Sequence, residues 1–205
     1  MVVDKPAGLA TVGGGWEPGQ ASLIEQLRSE HGPLWAVHRL DRVTSGVVVF
    51  ARTAEVQRAL SMLFESRAVT KAYHALVHGE PAWEQHTARH PLHADVGHSH
   101  RTAVDPRRGK PSETGFRVLE RFGEACLLEA LPHTGRTHQV RAHAAALGYP
   151  LLGDGLYGAP PTERIGRPAL HAVRLAFVLE DEEFEFIAPH PDDFREALET
   201  LRAGP

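Results

Sequence analysis

Two short stretches of the chain concentrate side chains able to do nucleophilic, acid–base or anion-binding chemistry. The first is His38-Arg39-Leu40-Asp41-Arg42-Val43-Thr44-Ser45-Gly46, where a lone carboxylate sits between two guanidinium groups. Adjacent positive charge favours the ionised acid, so Asp41 is expected to be a carboxylate. The Thr, Ser and Gly after it suit a turn presenting that carboxylate at a sheet edge. The same residue types serve equally in a structural turn, with Asp41 accepting hydrogen bonds from the backbone of Val43 or Thr44. The second stretch is Thr134-Gly135-Arg136-Thr137-His138-Gln139-Val140-Arg141-Ala142-His143. Gly135 is expected to turn the backbone sharply. The cations, amide and imidazoles that follow, near a helix start, suit an anion such as a carboxylate or phosphate. A solvated helix face is the alternative.

Three other signals carry less. Seven of the fourteen histidines lie between His74 and His100, including His90-Pro-Leu-His93 and His98-Ser-His100. A zinc site needs ligands at helix or strand spacing, often with Cys or a carboxylate. No Cys partner or H-E-x-x-H helix accompanies them, so a polar surface loop without metal is expected. Gly153-Asp154-Gly155-Leu156-Tyr157-Gly158 matches G-x-G-x-x-G, but a dinucleotide loop needs a strand before it and a helix after it. A helix is expected before it and Ala159-Pro160-Pro161 follows, so that role is discarded. Gly13-Gly14-Gly15 lacks the Lys-Ser/Thr of a phosphate loop and is expected to be a flexible turn.

The elements that must position the two constellations follow from periodicity. Residues 45–51, β-branched and mostly apolar, read as a buried strand running out of the Asp41 turn. Lys71 to His78 alternates, with Tyr73, Ala75 and Val77 on one side, as a half-buried strand does. Strands are expected near Thr114–Arg121 and Ala125–Leu131, then a helix over Thr137–Leu147 stopped by Gly148. Ser22-Leu-Ile-Glu25 is a capping box, and a second helix over Ala54–Ser66 gathers Val56, Ala59, Leu60, Leu63 and Phe64 on one face. Residues 80–112, with four prolines, read as loop with at most short strands. Ala169–Leu179 and Glu183–Ala188 form a hairpin pair, and Asp193-Phe-Arg-Glu196 caps a last helix. Strands outnumber helices without regular alternation, which is an α+β fold with a mainly antiparallel sheet.

The chain has 205 residues, a size for one large domain or two small lobes sharing a core. No apolar run approaches the roughly twenty residues of a membrane-spanning helix, and no secretory signal opens the chain. The single cysteine, Cys126, permits no intrachain disulfide and suits a reducing cytoplasm. The net charge of −4 hides a division: residues 179–205 hold nine acids against two bases, leaving the other 178 residues at +3. Such a body permits an RNA partner without arguing for one.

His38-Arg-Leu-Asp41 with Thr44-Ser-Gly46 resembles the catalytic signature of the RluA-type pseudouridine synthases, which isomerise uridines in ribosomal RNA or tRNA. The resemblance takes in Val3-Asp-Lys5-Pro6-Ala-Gly8-Leu9, the Lys71-Ala-Tyr73 strand and Gly135-Arg136-Thr-His138-Gln139-Val-Arg141-Ala-His143. It continues through Gly148-Tyr-Pro150-Leu-Leu-Gly153-Asp154-Gly-Leu-Tyr157-Gly158 and Leu170-His171-Ala172. It implies an α+β catalytic domain with a central antiparallel sheet, flanking helices and an RNA cleft, working without metal or organic cofactor. Asp41 matches the family's essential aspartate, Tyr73 its base-stacking tyrosine and Arg136 the arginine that pairs with the aspartate. Arg39 matches a position implicated in holding the target nucleotide open. Lys71, His138, Gln139 and Arg141 are expected among the substrate contacts. Arg107 and Arg108, within the loop Arg101 to Lys110, are expected to reach RNA.

Residues 1–205 are thus expected to form a single catalytic domain, cytoplasmic and monomeric, with RNA as partner and neither a membrane nor an obligate protein partner. Two departures from the family pattern stand out. The strand or two that usually precede the Lys-Pro-Ala-Gly motif, and the small N-terminal RNA-binding domain of many members, are not seen. Either the first strand is cut short, exposing a sheet edge near Val2, or the catalytic domain alone binds the target. Ala10-Thr-Val-Gly13 also replaces a His-Pro that often follows the first motif. An RNA-binding or RNA-chaperone protein that kept the fold and lost turnover is the competing class. Asp41, Tyr73 and Arg136 favour the enzyme.

Overall fold

A computed structural model describes residues 1–13, 21–97 and 101–204. Gly14 and Gly15 of the expected turn, and His98 and His100 of the histidine cluster, lie outside the described residues. In chain order the elements begin with β1 (Val2–Lys5), α1 (Leu23–His31), β2 (Trp35–Ala36), β3 (Ser45–Ala51) and α2 (Ala54–Glu65). There follow β4 (Thr70–His78), β5 (Gln85–Ala88), β6 (Leu92–Val96), β7 (Arg101–Val104), β8 (Thr114–Arg121) and β9 (Ala125–Pro132). The chain continues with α3 (Gln139–Ala146), a 3-10 turn (Gly155–Tyr157), β10 (Leu170–Leu179), β11 (Glu182–Ile187) and α4 (Asp192–Ala203). The α+β expectation holds: the pairs of β1 with β3, β4 with β9, β8 with β9, β5 with β8 and β10 with β11 all run antiparallel.

The chain divides into two compact units, residues 1–70 with 172–189, and residues 71–171 with 190–205. In the first, β3 is buried along its whole length. Lys5 at the end of β1 sits opposite Gly46 on β3. The core gathers Val47, Val49, Leu60, Val69, Leu175 and Phe177. On α2 the apolar stripe starts later than its periodicity suggests. Leu60 is buried and Leu63 and Phe64 pack on the core, but Val56 is 38% exposed. Thr53 caps that helix, its hydroxyl accepting the Val56 N–H at 3.3 Å.

In the second unit, β4 departs from the half-buried expectation. Ala75 and Val77 pack with Val140 and Ala144 of α3, while Leu76 packs with Phe194, Leu198 and Leu201 of α4. A strand covered by a helix on each face is apolar on both, so strict alternation disappears. Helix α3 begins at Gln139, two residues later than expected, because His138 is left-handed at φ 52°. A residue in that conformation cannot extend a right-handed helix. Helix α4 is capped by Pro191, and Asp193 lies inside its first turn. The Asp193 carboxylate accepts the Phe194 N–H of that turn at 2.8 Å and also grips the Arg167 guanidinium with two bonds of 2.6 and 2.9 Å, a charge-assisted pair. The expected loop 80–112 holds three short strands. The described histidines of the cluster lie partly in strands, His74 and His78 in β4, His86 in β5 and His93 in β6, with His86 exposed and the others half-buried.

Candidate active site

In the first unit the His38–Gly46 turn is anchored residue by residue. The His38 ring stacks on Phe64 with centroids 4.6 Å apart, and its Nε2 accepts the Val49 N–H at 3.0 Å. Leu40 is held at both its backbone groups by the hydroxyl of Thr11. The Asp41 carbonyl accepts the Thr44 N–H at 3.0 Å, so the structural turn foreseen as an alternative is present, made by the backbone oxygen. The Arg42 carbonyl accepts from the Gly8 N–H at 2.8 Å and from Lys5 Nζ at 3.2 Å. Lys5 is 0% exposed, and its ammonium also donates to the carbonyls of Pro6 and Leu9. A buried cation without a wet face needs such a cage of oxygens. Amid these anchors Asp41 is half-buried. Arg39 is exposed and carries no ion pair among the described residues. The Thr44 hydroxyl is buried and finds no acceptor there.

In the second unit the loop that carries Arg136 is built around Gln139. The Gln139 side-chain oxygen accepts from the Thr134 hydroxyl at 2.6 Å and from the Arg136 N–H at 3.0 Å. Its amide nitrogen donates to the Glu113 carbonyl and the Thr114 hydroxyl, both at 2.9 Å. Gln139 is 4% exposed, and these bonds occupy both ends of its amide. The expectation that Gln139 contacts substrate is therefore corrected: it is the bracket of the turn. Lys71 clamps the same turn, its Nζ donating to the Thr134 carbonyl at 3.3 Å. The residue that bends the backbone is His138, not Gly135, which has no positive φ. The His138 ring meets the Tyr157 hydroxyl at 3.2 Å from Nδ1. Arg136 is half-buried, with its Nε buried and lacking an acceptor among the described residues. Tyr73 is half-buried on β4 opposite Ala130, its ring resting on the core.

Arg141, also read as a substrate contact, is corrected more sharply. It is 4% exposed and makes a two-pronged ion pair with Asp154, itself 1% exposed, at 2.7 Å for each bond. The Tyr157 ring covers this pair, 5.0 Å from the guanidinium carbon. Burial removes Arg141 from reach of an RNA phosphate. His143, from the same motif, is 0% exposed, with Nδ1 2.9 Å from the Thr114 hydroxyl and Nε2 3.0 Å from the His90 carbonyl. Burial pushes its pKa down, and with both ring nitrogens facing protein partners it offers nothing to an anion from outside.

Arg107 and Arg108 are exposed, as an RNA contact requires. They follow β7 in a turn in which both backbone N–H groups donate to one oxygen of Asp105, at 2.9 and 3.0 Å. Those bonds, from Arg108 first and then Arg107, hold the Asp105 carboxyl below its usual range. Arg108 also pairs with Asp105 through its side chain at 3.1 Å. Among the described residues no group of His, Cys, Asp and Glu side chains is placed to hold a metal ion. Thr11, Tyr157 and the Lys5 cage were not foreseen. Tyr157 lay within the discarded glycine string, whereas nothing in the types or spacing of Thr11 and Leu40 links them.

The family model of RNA pseudouridylate synthases matches residues 1–146. The chain is 37% identical to the ribosomal large subunit pseudouridine synthase C of Vibrio cholerae, over 98% of this chain and 66% of that one. It is 37% identical to the dual-specificity RNA pseudouridine synthase RluA of Escherichia coli, over 85% of this chain and 81% of that one. An uncharacterized RNA pseudouridine synthase of Mycobacterium bovis is 38% identical over 98% of this chain and 70% of its own length. Among solved structures, human RNA pseudouridylate synthase domain containing 4 superposes with a TM-score of 0.82 at 26% identity, covering 98% of this chain and 89% of that one. Human RNA pseudouridylate synthase domain containing 1 gives 0.79 at 29% identity, covering 100% and 91%. With a matching family model over most of its length and relatives 37–38% identical over 85–98% of it, the chain belongs to the RNA pseudouridylate synthase family.

Proposed function

We propose that the chain, acting as one catalytic domain over residues 1–205, isomerises a flipped-out uridine in ribosomal RNA or tRNA with Asp41 as its reacting carboxylate. The observation that carries this is the turn itself: both neighbours of Asp41, Leu40 and Arg42, are fixed through their backbones while Asp41 remains half-buried. Positioned groups of this kind gain rate by orientation. The N1–C1′ glycosidic bond breaks, the uracil turns over, C5 bonds to C1′, the proton on C5 leaves to solvent and N1 takes up a proton in its place. Asp41 supplies the negative charge that this exchange requires, whether toward the sugar or the base. Tyr73 supplies the ring on which a uracil freed from its stack can rest. Arg136 supplies a guanidinium whose buried Nε lacks an acceptor among the described residues and suits an anion.

Arg39 and Arg107 are exposed cations fit for phosphate. Arg108 serves less, being engaged by Asp105. His138 and Lys71 act nearer the chemistry by holding the Arg136 turn. The protein works in the cytoplasm as a monomer, with RNA as its partner and no cofactor. Asp41→Asn should abolish release of tritium from C5-tritiated uridine RNA, with circular dichroism and RNA affinity unchanged. Turnover by that variant near the wild-type rate would remove Asp41 from the chemistry.

A further inference from the structure

We propose that Thr11 is a positioning residue for Asp41, acting through the backbone of Leu40; this rests on Asp41 being the reacting carboxylate. Thr11 is 2% exposed. Its hydroxyl donates to the Leu40 carbonyl at 3.0 Å and accepts the Leu40 N–H at 3.1 Å. One hydroxyl can do both, so a single side chain clasps a residue 29 positions away, as a neighbouring strand otherwise would.

The clasp bears directly on Asp41. The Leu40 carbonyl and the Asp41 N–H belong to one rigid peptide plane, so fixing that carbonyl fixes the plane entering Asp41. The plane leaving Asp41 is fixed by its own carbonyl, which accepts the Thr44 N–H at 3.0 Å. With both planes set, the direction in which the side chain leaves the Asp41 backbone is set too. Thr11 is itself held. Its carbonyl accepts the Ile24 N–H at 3.2 Å and that of Ala10 accepts the Leu23 N–H at 2.8 Å. These are N–H groups that the start of α1 leaves without partners inside the helix. Leu40 is 5% exposed, so without the hydroxyl its backbone groups have little water to turn to. They regain partners only by rotating the peptide planes that aim Asp41.

Thr11→Val keeps the side-chain shape and removes both bonds, whereas Thr11→Ser keeps both bonds and removes a methyl group. Each is compared with wild type on C5-tritiated RNA purified from cells lacking the protein, with circular dichroism giving the folded fraction. Per folded molecule, Thr11→Val should lose about 10–100-fold in rate at saturating RNA, with half-saturation within about twofold and Thr11→Ser within about threefold of wild type. A wild-type rate in the Val variant, an equal loss in the Ser variant, or a loss explained wholly by unfolded protein would overturn the proposal. Asp41→Asn run in parallel separates the two levels. An active Asn variant sinks the assignment of Asp41, whereas an inactive Asn variant beside a fully active Val variant sinks only the role of Thr11.

Discussion

Arg141 and Asp154 show how residue type and residue role part company. Two arginines, an amide and two histidines in ten positions read as an anion site, and the types are right for one. What the types do not carry is that Asp154 lies thirteen residues on, beyond α3, and returns to neutralise Arg141 inside the protein. A buried ion pair costs desolvation at both members, and breaking it strands the survivor. Asp154→Ala should therefore destabilise the fold by about 3–5 kcal/mol in urea unfolding, because it leaves a buried guanidinium uncompensated. RNA affinity of the remaining folded protein should stay at the wild-type value, since Arg141 is buried and held by Asp154. A variant of wild-type stability would mean that water reaches this pair. Gln139 follows the same logic in neutral form: an amide suited to a substrate is used up by Thr134 and Arg136 of its own turn and by Glu113 and Thr114 from the start of β8.

Among the elements, β3 was the most legible and the turn before α3 the least. A run of β-branched apolar residues between two polar segments is a buried strand by its own periodicity, and so it stands. Gly46 within it has a second constraint. It adopts φ 119°, and a Cβ placed there would lie 2.2 Å from the Ala172 carbonyl oxygen on β10. Gly46→Ala must force β3 and β10 apart, so the variant should lose its cooperative unfolding transition by circular dichroism or be recovered insoluble. A folded, active Ala variant would contradict the close approach. Gly135 is the opposite case: it was expected to bend the chain, yet a Cβ there would meet nothing within 4 Å. The bend falls on His138, where a left-handed conformation is rare for a residue with a side chain. Its link to Tyr157 comes from a segment nineteen positions away, which local pattern cannot supply. The same holds for α4, whose Asp193 binds the Phe194 N–H and also Arg167, a residue twenty-six positions away.

The chain as a whole carries its histidines unevenly, and acid should find the weak place. His74 and His190 lie ring to ring, with His74 Nδ1 2.7 Å from His190 Nε2, a contact that needs a donor on one ring and an acceptor on the other. Burial first, then the charge of His171 and Arg117, takes the pKa of His74 from the usual 6.5 down to about 4. Burial, His74 and Arg202 do the same to His190, also to about 4. The unfolded chain therefore binds more protons than the folded one between about pH 6.5 and pH 4, and stability must fall as pH drops through that window. The thermal midpoint should be flat above pH 7 and decline toward pH 4, with the decline reduced in a His74→Gln, His190→Gln variant. An unchanged midpoint down to pH 4.5 would refute this. Finally, the caged ammonium of Lys5 reaches beyond folding into how the protein can be handled. The chain has three lysines, of which Lys5 is sealed, Lys71 half-buried and Lys110 open. Amine-directed dyes, biotin esters and coupling resins thus meet one readily available side-chain amine, in the turn after Arg107 and Arg108. A label placed there reports on the exposed basic loop and leaves the segment that clasps Leu40 untouched.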